Sequence, residues 1–220
     1  MKLRVLGSGS SGNCYLLENE NECLVLEAGL SLKEVKIALN FNISKITAVL
    51  VTHGHKDHCG FSNQFKRAGI RVFEPYNGTN KKQMVFGNFI VTWFPLVHDT
   101  ENYGYLIWHP DIGWFLYATD TEYIRYTFKK TRIRTMLVEA NYSKDLINRD
   151  EERAGRVFLS HMDIDTTVEF IKNSMTEYLK TVVLCHMSRE NASSDDFKSK
   201  VEEIFAGDVK TARKGLEVIL

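Results

Sequence analysis

Proline is scarce in this sequence, at three residues in 220, and none falls in a cluster that would mark a flexible linker. Charge blocks and internal repeats are also missing, so one domain spanning residues 1–220 is expected. No apolar run approaches the ~20 residues that a membrane helix needs, and Met1 to Gly7 lacks the apolar core and small-residue cleavage site of a secretory leader. A cytoplasmic protein without a membrane partner is the expectation. The four cysteines, Cys14, Cys23, Cys59 and Cys185, have no paired spacing. They read as reduced thiols, which excludes a disulfide framework and a thiolate zinc site. Net charge is absent too, with 28 Lys+Arg against 28 Asp+Glu, so no overall field draws a polyanion. A nucleic-acid surface would have to be local. The best stretch runs from Arg125 to Arg134 with Lys129, Lys130, Arg132 and no acid, and as composition it fits a solvated face.

What is present is a 44% hydrophobic share, enough for a substantial core, arranged first in strand-length runs. Leu3 to Leu6, Cys14 to Leu17 and Cys23 to Leu26, separated by turn-rich segments, predict a β-meander. Ser31 and Glu34 have capping-box spacing and predict a helix to about Asn40. Ile46 to Val51 reads as a buried strand, followed by a helix from about Cys59 to Ala68. The middle is strand-rich: Ile70 to Phe73, Phe89 to Phe94, Tyr105 to Trp108 and Trp114 to Ala118. Further strands are expected at Thr135 to Glu139, Val157 to Leu159 and Thr181 to Cys185. Helices are expected over Asp165 to Leu179 and Ser194 to Phe205. Val209 to Ala212 and Leu216 to Leu220 should close the chain as a β pair.

The strand ending at Val51 runs into Thr52-His-Gly-His-Lys-Asp-His58. Three imidazoles and a carboxylate in six positions on a strand-to-helix loop indicate metal. More such groups recur just beyond apolar strands: His98, Asp120 and His186. The set can hold two divalent ions, one on His53, His55 and His98, the other on Asp57, His58 and His186, with Asp120 bridging. Imidazole and carboxylate suit zinc best and accept manganese or iron. Ions so held lower the pKa of water toward about 7 and polarise an ester or phosphodiester, which points to hydrolysis. Five of the seven histidines enter this scheme; His161 and His109, the latter in a turn before Pro110, do not.

With these residues the chain resembles the metallo-β-lactamase-fold hydrolases, whose His-x-His-x-Asp-His signature stands at His53 to His58 with His98, Asp120 and His186 following in family order. The resemblance implies an α/β (α+β) fold, a single-domain four-layer αβ/βα sandwich with a dinuclear site at one edge. Asp120 disfavours the zinc β-lactamases that carry Cys there. Gly7 to Asn13, Leu26 to Ser31, Val138 to Tyr142, His186 to Asn191 and Lys214 to Leu220 are similar to the WalJ/YycJ-type branch. Its members are bacterial or phage-borne 5′ exonucleases, so a DNA substrate is implied. Glu27 departs from that pattern, which has Asp, and this weakens any role for the carboxylate. The Ser160 to Asp163 and Leu184 to Arg189 segments are similar to the tRNA 3′-processing endonucleases. By that likeness His161 would protonate the leaving alkoxide with Glu139 orienting it, while Asp57 aligns the attacking water. Those enzymes carry a long tRNA-gripping arm between the residues matching His98 and Asp120. Here only 21 residues separate them, so tRNA processing is the weaker reading.

Other positions are open between two roles. Ser10, Ser11 and Asn13 belong to a loop that offers hydroxyls and N–H groups to a phosphate, or is a turn between strands. Asn141 and Arg189 are substrate-binding candidates, and Arg189 is equally a helix cap. Asp99 and Thr119 are candidates to orient ligands, or bond to backbone. A small-molecule hydrolase of esters, thioesters, lactones or cyclic phosphodiesters is the alternative to a nuclease, favoured by the balanced charge. A non-enzymatic binding module ranks last because all seven ligands are present. Oligomeric state is not legible.

Overall fold

The computed structural model describes residues 1–147 and 154–220. The chain opens with β1 (Lys2–Gly7), β2 (Cys14–Glu18) and β3 (Cys23–Leu26), the antiparallel meander that the sequence predicts. Helix α1 (Leu32–Ala38) starts at the expected capping box, with Ser31 N donating to Glu34 Oε2 at 3.1 Å. Then come β4 (Ile46–Leu50), α2 (Lys56–Cys59), α3 (Ser62–Arg67) and β5 (Val72–Phe73). The antiparallel run β6 (Gln83–Phe86), β7 (Phe89–Pro95), β8 (Tyr103–His109) and β9 (Gly113–Ala118) leads to β10 (Ile133–Glu139). Last are α4 (Ala154–Ser160), α5 (Ile164–Ser174), β11 (Thr181–Cys185), α6 (Ser194–Glu202), β12 (Asp208–Thr211) and β13 (Glu217–Ile219).

The strands form two sheets, ordered β13-β1-β2-β3-β4-β5 and β12-β11-β10-β9-β8-β7-β6. Strand side chains alternate between faces, and here both faces are covered. Tyr15, Leu17, Leu137, Val183 and Cys185 point between the sheets. Leu16, Val25 and Val49 face α1 and α3 with Leu32, Val35 and Phe65. Met136, Val138, Val182 and Leu184 face α5 and α6 with Phe170, Ile171, Phe197 and Val201. This is the four-layer sandwich. Each fully buried large apolar side chain contributes about 1.5–3 kcal/mol.

Five elements differ from expectation. The helix predicted over Cys59 to Ala68 is two short ones. The break at Gly60 and Phe61 is fixed by Phe61 N donating to Ala28 O at 2.9 Å, which anchors the histidine loop to the first sheet. Val157 to Leu159 is helical, not a strand: three apolar residues are too few to define a period, and Val157 and Phe158 pack on Tyr142 and Ile147. The terminal strands do not pair with each other. β12 adds parallel to β11 and β13 antiparallel to β1, so the chain's end spans both sheets. Strand β6 was hidden by the preceding Lys81 and Lys82 and by its own polar Gln83, although Met84 and Phe86 alternate inward before the Gly87-Asn88 turn.

His109 finds its place at the edge far from the histidine loop. Its buried ring donates from Nε2 to Glu22 Oε1 at 2.9 Å and accepts at Nδ1 from Asp111 N at 3.1 Å. Glu22 also receives Asn88 N and Nδ2 at 3.0 and 2.7 Å, so turns of both sheets meet on one carboxylate. Burial alone would raise its pKa, but the His109 and Asn88 bonds outweigh that and hold it below the usual glutamate value. A depressed carboxyl stabilises above its unfolded pKa of about 4.3 and loses that contribution as pH falls through the folded value. We therefore expect Glu22→Gln to lose about 1–2 kcal/mol at pH 7, with the difference from the parent closing toward pH 3. Urea unfolding across that range measures it, and a pH-independent gap would contradict the clamp.

Candidate metal centre

Strands β4, β7, β9 and β11 all end at one edge of the sandwich, and each releases a polar group there. Three of the connecting residues have left-handed backbone without being glycine: Glu27 (φ 69°), Asp120 (φ 54°) and His186 (φ 52°). Each such residue costs about 1–3 kcal/mol and persists only where neighbours hold it. Asn102 holds Asp120, its Nδ2 donating to the carbonyls of Thr119 and Asp120 at 2.9 and 2.6 Å. His186 N donates to Ser8 Oγ at 2.9 Å, and Asn141 Nδ2 donates to His186 O at 2.7 Å. The strain turns both side chains into the same space.

Two ligand sets form there. His53, His55, His98 and Asp120 present donor atoms within 4.8 Å of one another, and so do Asp57, His58, Asp120 and His186. Asp120 belongs to both, as the bridging expectation requires. A third overlapping set substitutes Glu139 and His161, but those two are already engaged with each other at 2.7 Å. The imidazoles are aimed by their far nitrogens. His53 Nδ1 bonds Thr52 Oγ1 at 2.9 Å and His98 Nδ1 donates to Ser160 O at 2.9 Å, leaving each Nε2 for the centre. His58 Nδ1 lies 3.4 Å from Glu27 Oε1, which accepts from Tyr117 Oη at 3.0 Å while Glu27 Oε2 accepts from Thr52 N at 3.2 Å. Glu27 therefore stands beside a candidate ligand, a placement that its departure from the family pattern did not suggest.

The donor set fits divalent ions. His53 Nε2 and His186 Nε2 are buried without a hydrogen-bond partner, an arrangement costly by about 1–3 kcal/mol each. They face Asp120 Oδ2 at 3.8 Å and Asp57 Oδ2 at 3.6 Å. Burial, then the charge of His58, pushes His53 down to about 2, so it stays a neutral ligand. Burial alone would raise Asp57 and Asp120. The nearby His186 and His58 outweigh it and keep both carboxylates ionised. Burial alone would lower His58 and His186, but the Asp120 charge raises both, His186 to about 10, so the carboxylates draw positive charge to the place where a cation would sit.

Around the ligands the expectations divide. Thr119 Oγ1 donates to Asp120 Oδ1 at 2.7 Å, and Asp99 Oδ1 lies 3.3 Å from His55 Nε2 and 3.2 Å from His98 Nε2. His161 lies over the centre, stacked on His186 at 5.3 Å. Ser10, Ser11, Asn141 and Arg189 line an adjoining cavity of about 350 Å³. Arg189 Nη2 reaches Ser11 Oγ at 3.4 Å. Asn13 departs from the substrate-binding expectation. It is fully buried with Oδ1 taken by Gly9 N at 2.8 Å and Nδ2 beside His58 Nε2 at 3.0 Å, so it braces the ligand loop. Asn102 was missed because a lone asparagine before a strand carries no pattern.

Residues 7–72 match the metallo-beta-lactamase superfamily model. The chain is 26% identical to the exodeoxyribonuclease WalJ of Streptococcus pneumoniae over 86% of its length and 82% of that protein. It is 24% identical to the exodeoxyribonuclease YycJ of Bacillus anthracis, over 91% of this chain and 87% of that one. The crystal structure of the metallo-β-lactamase fold protein YhfI from Bacillus subtilis superimposes with a TM-score of 0.74 over 99% of this chain and 98% of that one, at 16% identity.

The two ligand sets give a direct expectation for metal content. His58→Ala should fall from two bound ions to one, whereas Asp120→Ala should weaken both sites. Elemental analysis after dialysis, beside circular dichroism to confirm folding, checks both. Two ions retained by His58→Ala would remove that residue from the ligand set.

Proposed function

We propose that this metallo-β-lactamase-fold hydrolase is a dinuclear phosphodiesterase acting on DNA ends, a 5′ exonuclease of the WalJ/YycJ type. Its compartment would be the cytoplasm, which suits four free cysteines, and among the described residues no helix is long and apolar enough to cross a membrane. The observation that carries the reading is the His161–Glu139 pair. His161 Nδ1 donates to Glu139 Oε1 at 2.7 Å, and Glu139 Oε2 accepts from Thr121 N and Met162 N at 3.0 and 3.2 Å. The carboxylate is locked and fully buried, so the ring it orients has one free nitrogen. That ring lines the cavity of about 320 Å³ shared with His55, Asp57, His98, Asp120 and His186. Burial alone would lower the His161 pKa, but the Glu139 charge and bond raise it, which favours the protonated ring. A poor alkoxide leaving group needs such a donor.

Two divalent ions, zinc most suitably and manganese or iron by the same ligands, would be held by the two sets and would supply Lewis acidity and an ionised water. The chain's own residues do the rest. Asp57 Oδ2 aligns the attacking water, His161 Nε2 hands its proton to the leaving oxygen, and Glu139 keeps the ring in register. Arg189 and Ser11 at the mouth of the adjoining cavity bind a terminal phosphate, with Ser10 lining both cavities. The 24–26% identity to two exodeoxyribonucleases supports DNA as the substrate. A small-molecule hydrolase, in particular one acting on cyclic phosphodiesters, is the second reading, favoured by the zero net charge.

On end-labelled DNA with added Mn²⁺ or Zn²⁺, mononucleotide release is expected. No release from any end or strand form would end the nuclease reading. His161→Ala should keep both metals and lose about 10²–10⁴-fold in kcat on DNA. Its loss on bis(p-nitrophenyl) phosphate, whose leaving group needs no proton, should be much smaller. Equal losses on the two substrates would refute the proton-donor role. Arg189→Ala should erase any preference for 5′-phosphorylated over 5′-hydroxyl ends.

A further inference from the structure

Strands β9 and β10 are parallel neighbours, so the connection between them must run from the metal edge back to the opposite edge. It begins at Asp120 and ends at Ile133, and it travels beside α5 on the outer face of the second sheet. Ile124 and Phe128 pin it inward, with Phe128 against Phe94 at 5.1 Å and Phe170 at 6.2 Å. Everything else on it beyond Glu122 is turned outward or half-exposed. Tyr123 and Tyr126 are each 40% exposed, large for aromatic rings on a surface that could have covered them. Arg125, Lys129, Lys130 and Arg132 are exposed, and none forms an ion pair with a described acid. The Arg125 guanidinium lies 5.8 Å over the Tyr123 ring. Between the connection and α5 is a cleft of about 230 Å³ lined by Tyr123, Tyr126, Phe170, Glu169 and Asn173.

We infer that the 121–132 connection is the track for a single DNA strand leaving the metal centre, its bases stacking on Tyr123 and Tyr126 and its phosphates on Arg125, Lys129 and Lys130. Resting on the nuclease reading, this names how the substrate is held. Three features select that occupant. The cations and rings alternate along one segment, which suits a polymer with alternating charge and flat faces. The segment is continuous with the bridging ligand Asp120, so a strand with its end at the metals passes onto it directly. It spans the height of six-residue β9, about 20 Å at the ordinary rise, enough for a few nucleotides. Glu122 and Glu169 are the opposing charges, and they flank the rings at a distance in sequence from the lysines. On a chain of zero net charge, this is the local patch that a polyanion requires.

The test uses the metal-loaded full chain and a fluorescein-labelled single-stranded 12-mer with phosphorothioate linkages, read by anisotropy between 50 and 200 mM salt, conditions chosen for counterion release. A combined Arg125→Ala, Lys129→Ala, Lys130→Ala variant should bind at least about tenfold more weakly. Its log–log salt slope should fall by about 2, the value for three single-strand phosphate contacts. Tyr123→Ala with Tyr126→Ala should weaken binding by about tenfold or more with the salt slope unchanged. Metal content and turnover of bis(p-nitrophenyl) phosphate should match the parent in both, which also reports intact folding. Because Tyr126 touches Phe94 at 5.7 Å, the cation variant decides if the tyrosine pair misfolds. Parent-like DNA affinity and slope in the cation variant, with DNA still degraded, would overturn the track and leave the nuclease reading standing. A parent that neither binds nor degrades DNA while hydrolysing the small diester would overturn both. Cation-dependent binding to anionic vesicles in place of DNA would assign the patch to a lipid surface and overturn the track.

Discussion

The shared carboxylate of Asp120 is the constraint on which the rest of the structure depends. It is buried, ionised and within 3.4–3.8 Å of imidazole nitrogens from both ligand sets. A carboxylate in that position is tolerable only with positive charge beside it. Its left-handed backbone adds strain, which Asn102 and Thr119 absorb through three hydrogen bonds. The four layers serve this arrangement. Parallel strands deliver their ends to one edge, and helices cover the outer faces so that strands buried on both sides can be continuous apolar runs.

The clustering of the candidate ligands was legible because four of them are local and the rest follow strands. His53 to His58 lie in one loop, and the remote ligands each follow an apolar strand, so strand direction alone brings them together. The layered fold was legible for the same reason, through apolar runs of strand length. What was hidden was tertiary. The helical state of Val157 to Leu159 is set by Tyr142 and Ile147, not by its own three apolar residues. The destinations of β12 and β13 depend on β11 and β1, which lie far away in sequence. Asn102 and Glu27 act on groups delivered by other strands, and Asn13 reaches His58 from the first loop, with nothing in their own neighbourhoods to announce it.

In the proposed mechanism, proton handling and metal holding are kept apart by one carboxylate. Glu139 touches His161 at 2.7 Å and His186 at 3.2 Å, yet its second oxygen is committed to two backbone N–H groups. That commitment stops it from swinging toward the metal position. The same backbone donors, Thr121 N and Met162 N, belong to the start of the basic connection and to the segment entering α5. The acid pair and the proposed strand track are therefore built from the same two pieces of chain.

The clamp of Glu22 by His109 and Asn88 lies at the other end of every long strand from the ligands. The molecule therefore has a fixed end and a tunable end. At the fixed end one charged carboxylate and the hydrogen bonds around it join the two sheets. At the other end, the loops hold the candidate ligands, while the sheets are already joined at the far edge. Such a division lets one sandwich drift through many substrates while its folding problem is solved only once.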